Sequence, residues 1–158
     1  MAQTVLTKKI VLDYLKNHKL MIIATYGAFP WIASVYYSYD DHLNLYFLSS
    51  PETLHVKHIV VNKKVAVAIV DSHQKVTDMK RGLQISGVAN QISGANKIKH
   101  ALRLWKDALN ITNPKYTYEG MMKKLIKGRM YMIKPLKIKL FDQELFKVED
   151  GHEPMMSL

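Results

Sequence analysis

The stretch Leu20-Met-Ile-Ile-Ala-Thr-Tyr-Gly-Ala-Phe-Pro30-Trp-Ile-Ala-Ser-Val-Tyr-Tyr-Ser-Tyr-Asp40-Asp-His-Leu-Asn-Leu-Tyr-Phe-Leu48 reads as three short β-strands joined by two turns. Leu20 to Thr25 is a compact apolar run, and Tyr26 to Pro30 carries the glycine and proline of a turn. Trp31 to Tyr39 is rich in aromatic and β-branched residues. Asp40-Asp41-His42 turns the chain, and Leu43 to Leu48 returns with Leu43, Leu45 and Phe47 on one face. Such a meander is antiparallel.

Before the meander, Thr4 to Asn17 reads as a helix that a threonine caps, with Leu6, Ile10, Tyr14 and Leu15 on its apolar side. After it, Ser49-Ser50-Pro51-Glu52-Thr53 reads as a helix start with a serine cap and proline at the first helical position. That helix runs to about Asn62, with Leu54, His58, Ile59 and Val61 inward or at the boundary. Lys64 to Val70 reads as a fully buried strand. Lys80 to Ile92 reads as another strand, with Gly82 and Gly87 marking bends or close backbone approaches. Ile98, Ala101, Leu102, Trp105 and Leu109 have helical spacing, and Pro114 breaks that helix. A short helix over Tyr118, Met121, Met122 and Leu125 ends at Gly128 as a C-cap. Arg129 to Phe141 is a long strand whose phase shifts at Pro135. Hairpins dominate, so the expected fold is mainly β with helical additions (α+β), a barrel rather than a βαβ nucleotide fold. One domain over residues 1–158 is expected, because no linker, repeat or low-complexity tract interrupts the chain.

Composition narrows the chemistry. The chain has no cysteine, which excludes disulfides, Cys-ligated zinc, iron–sulfur clusters and thiol nucleophiles. Met1 to Lys9 is too polar for a secretory segment, and no apolar run is long enough to span a bilayer, so a cytoplasmic, membrane-free protein is expected. The formal net charge is +10, which attracts anions, but the lysines are scattered from Lys8 to Lys147. No P-loop, G-x-G-x-x-G, G-x-S-x-G or H-E-x-x-H is present. His55 and His58 lie i, i+3 on a helix with no third ligand at an obvious spacing, so no metal is expected. Asp40 and Asp41 read as a turn pair.

One segment carries an anion-binding argument. At Ser49-Ser-Pro-Glu-Thr-Leu-His-Val-Lys57 a strand delivers the chain to a helix N-terminus, where free amides and the positive dipole end favour a phosphate. Ser49, Ser50 and Thr53 add hydroxyls, and His55 and Lys57 add potential charge. Glu52 opposes it. At Lys80-Arg81-Gly82-Leu83-Gln84 a strand opens with two cations, a glycine that permits close approach and an amide. Arg81 suits a bidentate phosphate contact.

The run Leu45 to Ile59, then Asn62-Lys-Lys-Val-Ala-Val-Ala68, then Arg81-Gly-Leu-Gln-Ile-Ser-Gly87-Val-Ala resembles the pyridoxamine 5′-phosphate oxidase-like, FMN-binding split-barrel superfamily. It is similar in particular to a poorly characterised bacterial branch with a Thr-x-His helix start and an Arg-Gly-x-Gln-x-x-Gly strand. The resemblance covers about Met21 to Val88 and returns weakly over Tyr131 to Asp142. It implies a dimeric split β-barrel with FMN between two identical subunits. It implies phosphate contacts from Ser49, Thr53, His55 and Arg81, to which the residue reading above adds Ser50, Lys57, Gly82 and Gln84 as candidate cofactor contacts. The flavin ring would lie along Ala33-Ser34-Val35. An oxidoreductase or flavin reductase is implied, using a nicotinamide donor on a small-molecule substrate, with no side chain needed as acid or base. Two departures stand out: His55 occupies the family's usual lysine position, and the arginines of vitamin B6 oxidases are missing near Ala33 and in Tyr131 to Pro135. These point away from pyridoxamine phosphate and leave another flavin open. A basic nucleic-acid module using Trp31, Tyr36, Tyr37 and Tyr39 is an alternative reading. A haem-binding split barrel is another.

Overall fold

The three strands of the meander are β1 (Leu20–Tyr26), β2 (Pro30–Tyr39) and β3 (Leu45–Ser49), paired antiparallel in the computed structural model, which describes residues 5–158. Leu43 belongs to the second turn, with a positive φ of 67° and a buried side chain. The Asp40 carboxylate holds that turn by accepting from the amides of His42 and Asn44 and from the Tyr46 hydroxyl. The sheet continues through β4 (Lys64–Ile69), β5 (Arg81–Gln91) and β6 (Arg129–Asp142), in the order β3-β2-β1-β4-β5-β6. Strand β6 then pairs back onto β3 through Arg129–Ile133, so six antiparallel strands close into a barrel, while the Pro30–Tyr36 part of β2 pairs on one side only. A short β7 (Met155–Ser157), which no sequence pattern indicated, adds to the far half of β6.

Closure needs a bend, and the expected irregularity at Pro135 supplies it. The β5–β6 register steps from Ser86↔Lys137 to Gly87↔Pro135, leaving Leu136 as the extra residue of a bulge. Pro135 has no N–H to contribute to the ladder. Gly87 has no Cβ, and one placed there would lie 2.6 Å from the Lys134 carbonyl oxygen.

Alternate residues of every strand fill the barrel: Met21 and Ile23, Val35 and Tyr37, Leu45 and Phe47, Val65 and Val67, Leu83 and Ile85, Ile133 and Ile138. Helix α1 (Lys8–Lys16) closes the end where β4 finishes. Its Tyr14 hydroxyl donates to the Ile69 carbonyl at 2.7 Å, and the Leu15 carbonyl accepts from Tyr37. The cap is Thr7, whose hydroxyl accepts from the Ile10 amide. The expected start at Thr4 lies outside the described residues. Helix α2 (Leu54–Val61) packs Val56 and Ile59 into the core from the opposite end, where β1 finishes.

Strand β4 is half-buried rather than fully buried: Val65, Val67 and Ile69 point inward, while Ala66 is exposed and Ala68 partly so. Helices α3 (Ala95–Leu109) and α4 (Tyr118–Met122) build a second cluster outside the barrel. There Ala101, Leu102, Trp105 and Met121 cover Tyr46 and Met130. The Trp105 indole donates to the Tyr36 carbonyl at 3.3 Å. Helix α4 stops at Met122, and Lys124, not Gly128, takes the left-handed turn after it. Gly128 serves packing: a Cβ there would lie 2.8 Å from Leu48. Among the described residues no helix is long and apolar enough to cross a membrane.

Candidate functional site

The end of β3 and the start of α2 meet as a knot of hydroxyls. Helix α2 begins at Leu54, so its N-cap is Thr53 rather than a serine. Ser50 instead accepts from the Glu52 amide at 3.3 Å in a local turn, with Pro51 outside the helix. The helix therefore starts later than its Ser-Pro signal indicated, and its inward face moves with it. His55, Val56 and Ile59 are buried, while Leu54 and Val61 are exposed.

Three side chains converge there. The His55 Nε2 lies 2.7 Å from the Ser49 Oγ and 3.3 Å from the Thr53 Oγ1, and the two hydroxyl oxygens are 3.4 Å apart. The Thr53 hydroxyl donates to the Ser50 carbonyl at 2.7 Å and makes no cap bond to its own helix. Thr7 and Thr117, by contrast, turn inward and cap α1 and α4. Burial, followed by the neighbouring His58, holds the His55 pKa below its ordinary value, so the ring is neutral at neutral pH. His58 packs against Gly27 and lies 3.1 Å from the Thr25 hydroxyl. Lys57 is exposed and paired with Glu52 at 3.5 Å.

Arg81 stands elsewhere. In the ladders Ser49 pairs with Arg129 at the start of β6, whereas Arg81 pairs with Asp142 at its end. The Arg81 guanidinium is engaged by Glu144 and, at 3.5 Å from its Nε, by the buried Asp142 carboxylate. The cleft around it has a volume of about 860 Å³ and also presents Asp13, Asp71 and Asp78. Five carboxylates around one guanidinium make a poor phosphate site. The expected grouping of Arg81 with Ser49, Thr53 and His55 is thus not formed within one chain.

A third region is apolar. Ile22, Ala24, Ile32, Ala66, Ala68 and Gln84 line an open groove of about 490 Å³ on the outer face of the barrel. Ser34 is exposed opposite Ile22 on this same face, while Val35 is turned into the core and Ala33 packs against it. Gly82 is buried, and a Cβ there would lie 3.1 Å from Val70. Trp31 and Tyr36 are exposed, but Tyr37 is buried, so the four aromatics do not form one stacking surface. Among the described residues no group of three or more His, Asp or Glu side chains could hold a metal ion.

No family model matches the chain, and no curated protein sequence does so. Solved structures do. A conserved hypothetical protein of Mycobacterium tuberculosis aligns with a TM-score of 0.73 at 15% identity, over 100% of this chain and 95% of the other. A Listeria innocua protein named for pyridoxamine 5′-phosphate oxidase aligns with a TM-score of 0.64 at 20% identity, over 84% of this chain and 96% of its own. The chain has the split-barrel fold of pyridoxamine 5′-phosphate oxidase-like proteins. A haem-binding protein of Mycobacterium smegmatis shares that split barrel, with a TM-score of 0.64 at 14% identity over 89% of this chain and 53% of its own. On the split barrel of this chain, the hydroxyl knot lies at the barrel end closed by α2, and the carboxylate cleft lies at the end closed by α1.

Proposed function

We propose that this chain is a cytoplasmic, homodimeric FMN-binding flavoprotein that acts as an oxidoreductase or flavin reductase with a nicotinamide donor. The observation that carries the reading is the convergence of Ser49, Thr53 and His55 on a helix start whose threonine leaves its own amides uncapped. That donor set suits a phosphate: two hydroxyls, an imidazole N–H in one tautomer, and helix amides at the positive dipole end. Ser50 and Lys57 border it. When bound, the flavin would supply the electron or hydride transfer, and no acid or base from the chain is required.

Two features support the dimer reading. The outer face with Ile22, Ile32, Tyr36 and Ala66 is apolar and exposed, the kind of surface that a second copy covers. The phosphate knot and Arg81 lie at opposite ends of β6. We therefore assign Arg81, which keeps its Asp142 and Glu144 partners, with Gly82 and Gln84 to the second copy's side of the flavin away from the phosphate, and Ala33-Ser34-Val35 to the strand along which the ring lies. Small side chains at Ala33 and Ser34 give a flat ring clearance.

The test is a visible absorption spectrum of the purified protein before and after FMN addition and desalting. A retained oxidised-flavin spectrum near one flavin per subunit is the expected result. A colourless protein sinks the reading, and a Soret band in its place points to haem.

A further inference from the structure

We infer that Arg129 is the cation of the phosphate subsite and that it makes the site select a phosphate monoester over an uncharged flavin. The inference rests on the FMN reading above and adds a residue that no sequence motif marked. Ser49 and Arg129 are direct partners in the antiparallel β3–β6 ladder. Side chains of such partners leave the same face of the sheet with Cβ atoms about 4.5–5.5 Å apart. The Ser49 side chain is bonded into the knot with His55 and Thr53, so the face that Arg129 shares is the face of the knot.

Charge accounting then favours Arg129 over the three cationic residues that the sequence suggested for the phosphate. Lys57 is offset by Glu52, Arg81 is held by Asp142 and Glu144, and His55 is neutral at neutral pH. Arg129 is half-buried. Its Nη1 donates to the carbonyls of Gly128 at 3.0 Å and Lys127 at 3.5 Å, and among the described residues no carboxylate lies within ion-pair distance of it. Those carbonyls orient the guanidinium without cancelling its charge, which leaves its Nε and Nη2 donors for a ligand. A planar fork of N–H groups matches phosphate oxygens in pairs. The position is also fixed from behind, because Gly128 lets Leu48 of β3 pack where a Cβ would stand. Hydroxyls, a neutral imidazole and the α2 amides offer a phosphate only partial charges and no full counter-charge. A fixed positive charge is what separates a phosphate from an uncharged ribityl chain end.

The experiment measures FMN and riboflavin affinity by quenching of flavin fluorescence in the wild type, Arg129→Gln, Arg129→Lys and Arg81→Gln, with thermal melts recorded in parallel. Arg129→Gln is expected to weaken FMN binding by about tenfold to a hundredfold, the scale of a lost charged hydrogen-bond pair, while leaving riboflavin affinity unchanged. Arg129→Lys, which keeps the charge and tests whether the position tolerates change, should retain part of the preference. Inorganic phosphate should compete with FMN in the wild type and much less in Arg129→Gln. Wild-type FMN affinity in Arg129→Gln, or an equal loss of FMN and riboflavin in both Arg129 variants, overturns the inference and leaves the flavoprotein reading standing. A wild type that binds neither flavin removes both.

Discussion

Arg81 and Asp142 face each other across the β5–β6 ladder, and the Asp142 carboxylate uses its other oxygen to accept from the amides of Glu144 and Leu145. Asp142 is 6% exposed, whereas the Arg81 side chain is 46% exposed. The pair closes the barrel end at which α1 sits and organises the turn that follows β6.

Removal of the buried member should therefore cost more than removal of the exposed one. Asp142→Ala leaves two backbone donors without their acceptor and should lower stability by about 1–3 kcal/mol. Arg81→Gln should cost less than half of that, because an exposed guanidinium is screened by water. Urea unfolding midpoints of the two variants give the comparison. An Arg81 variant less stable than the Asp142 variant would contradict this account of the pair.

The outer face predicts assembly. Ile32 is 67% exposed and lines the apolar groove with Ala66. Ile32→Asp or Ala66→Glu would place a charge in an interface of two copies and should shift the protein from dimer to monomer in sedimentation velocity. The melting temperature at low protein concentration should hardly change, since neither residue is in the core. A wild type that sediments as a monomer would remove the dimer proposal.

His55 gives stability a pH dependence. Its pKa is held below 6.5 in the folded protein by burial and by His58, so below that value the unfolded chain binds protons more readily than the folded one. This contribution is fully present above pH 6.5 and is lost as pH falls through the folded-state value. The urea midpoint should thus fall between pH 7.5 and pH 5, and His55→Gln should flatten that fall. An unchanged slope in His55→Gln would assign the pH dependence to other groups.

Gly87 sits where the β5–β6 register steps, with the Lys134 carbonyl oxygen and the Ile133 methyl crowding the space that a Cβ would need. The obstacle is partly backbone, which cannot rotate away as a flexible side chain can. Gly87→Ala should cost about 1–3 kcal/mol. Gly94→Ala, at a φ of 93° with open space around it, should cost about 1–3 kcal/mol through the unfavourable backbone angle alone. Guanidinium unfolding of both variants separates crowding from conformational strain.

The turns and strands of the meander were legible because their signals are local. Glycine and proline at Gly27 and Pro30 punctuate the chain, and Leu43, Leu45 and Phe47 recur at every second position. The helix at Leu54 was legible as a helix but not in its phase. Ser50 and Pro51 give a strong start signal, yet Ser50 closes a turn and Thr53 caps, so Leu54 and Val61 turn outward and His55 turns in. In β4 the outward residues are alanines, which are as apolar as a core position and hide the alternation. Arg129 gave no signal, because a single arginine after a glycine resembles any solvated strand end.

By itself, the sequence determined the chain's local periods, its breaks, the absence of thiol chemistry and the close spacing of Ser49, Thr53 and His55. These depend on residues within a few positions of one another, where backbone geometry leaves few choices. Only the tertiary structure decided that β6 returns to β3, that Arg129 stands beside Ser49, and that Arg81 belongs to Asp142 at the far end of the barrel. A ladder's register joins residues distant in the chain, and it is set by how the whole apolar set packs when the barrel closes. No local pattern carries that information.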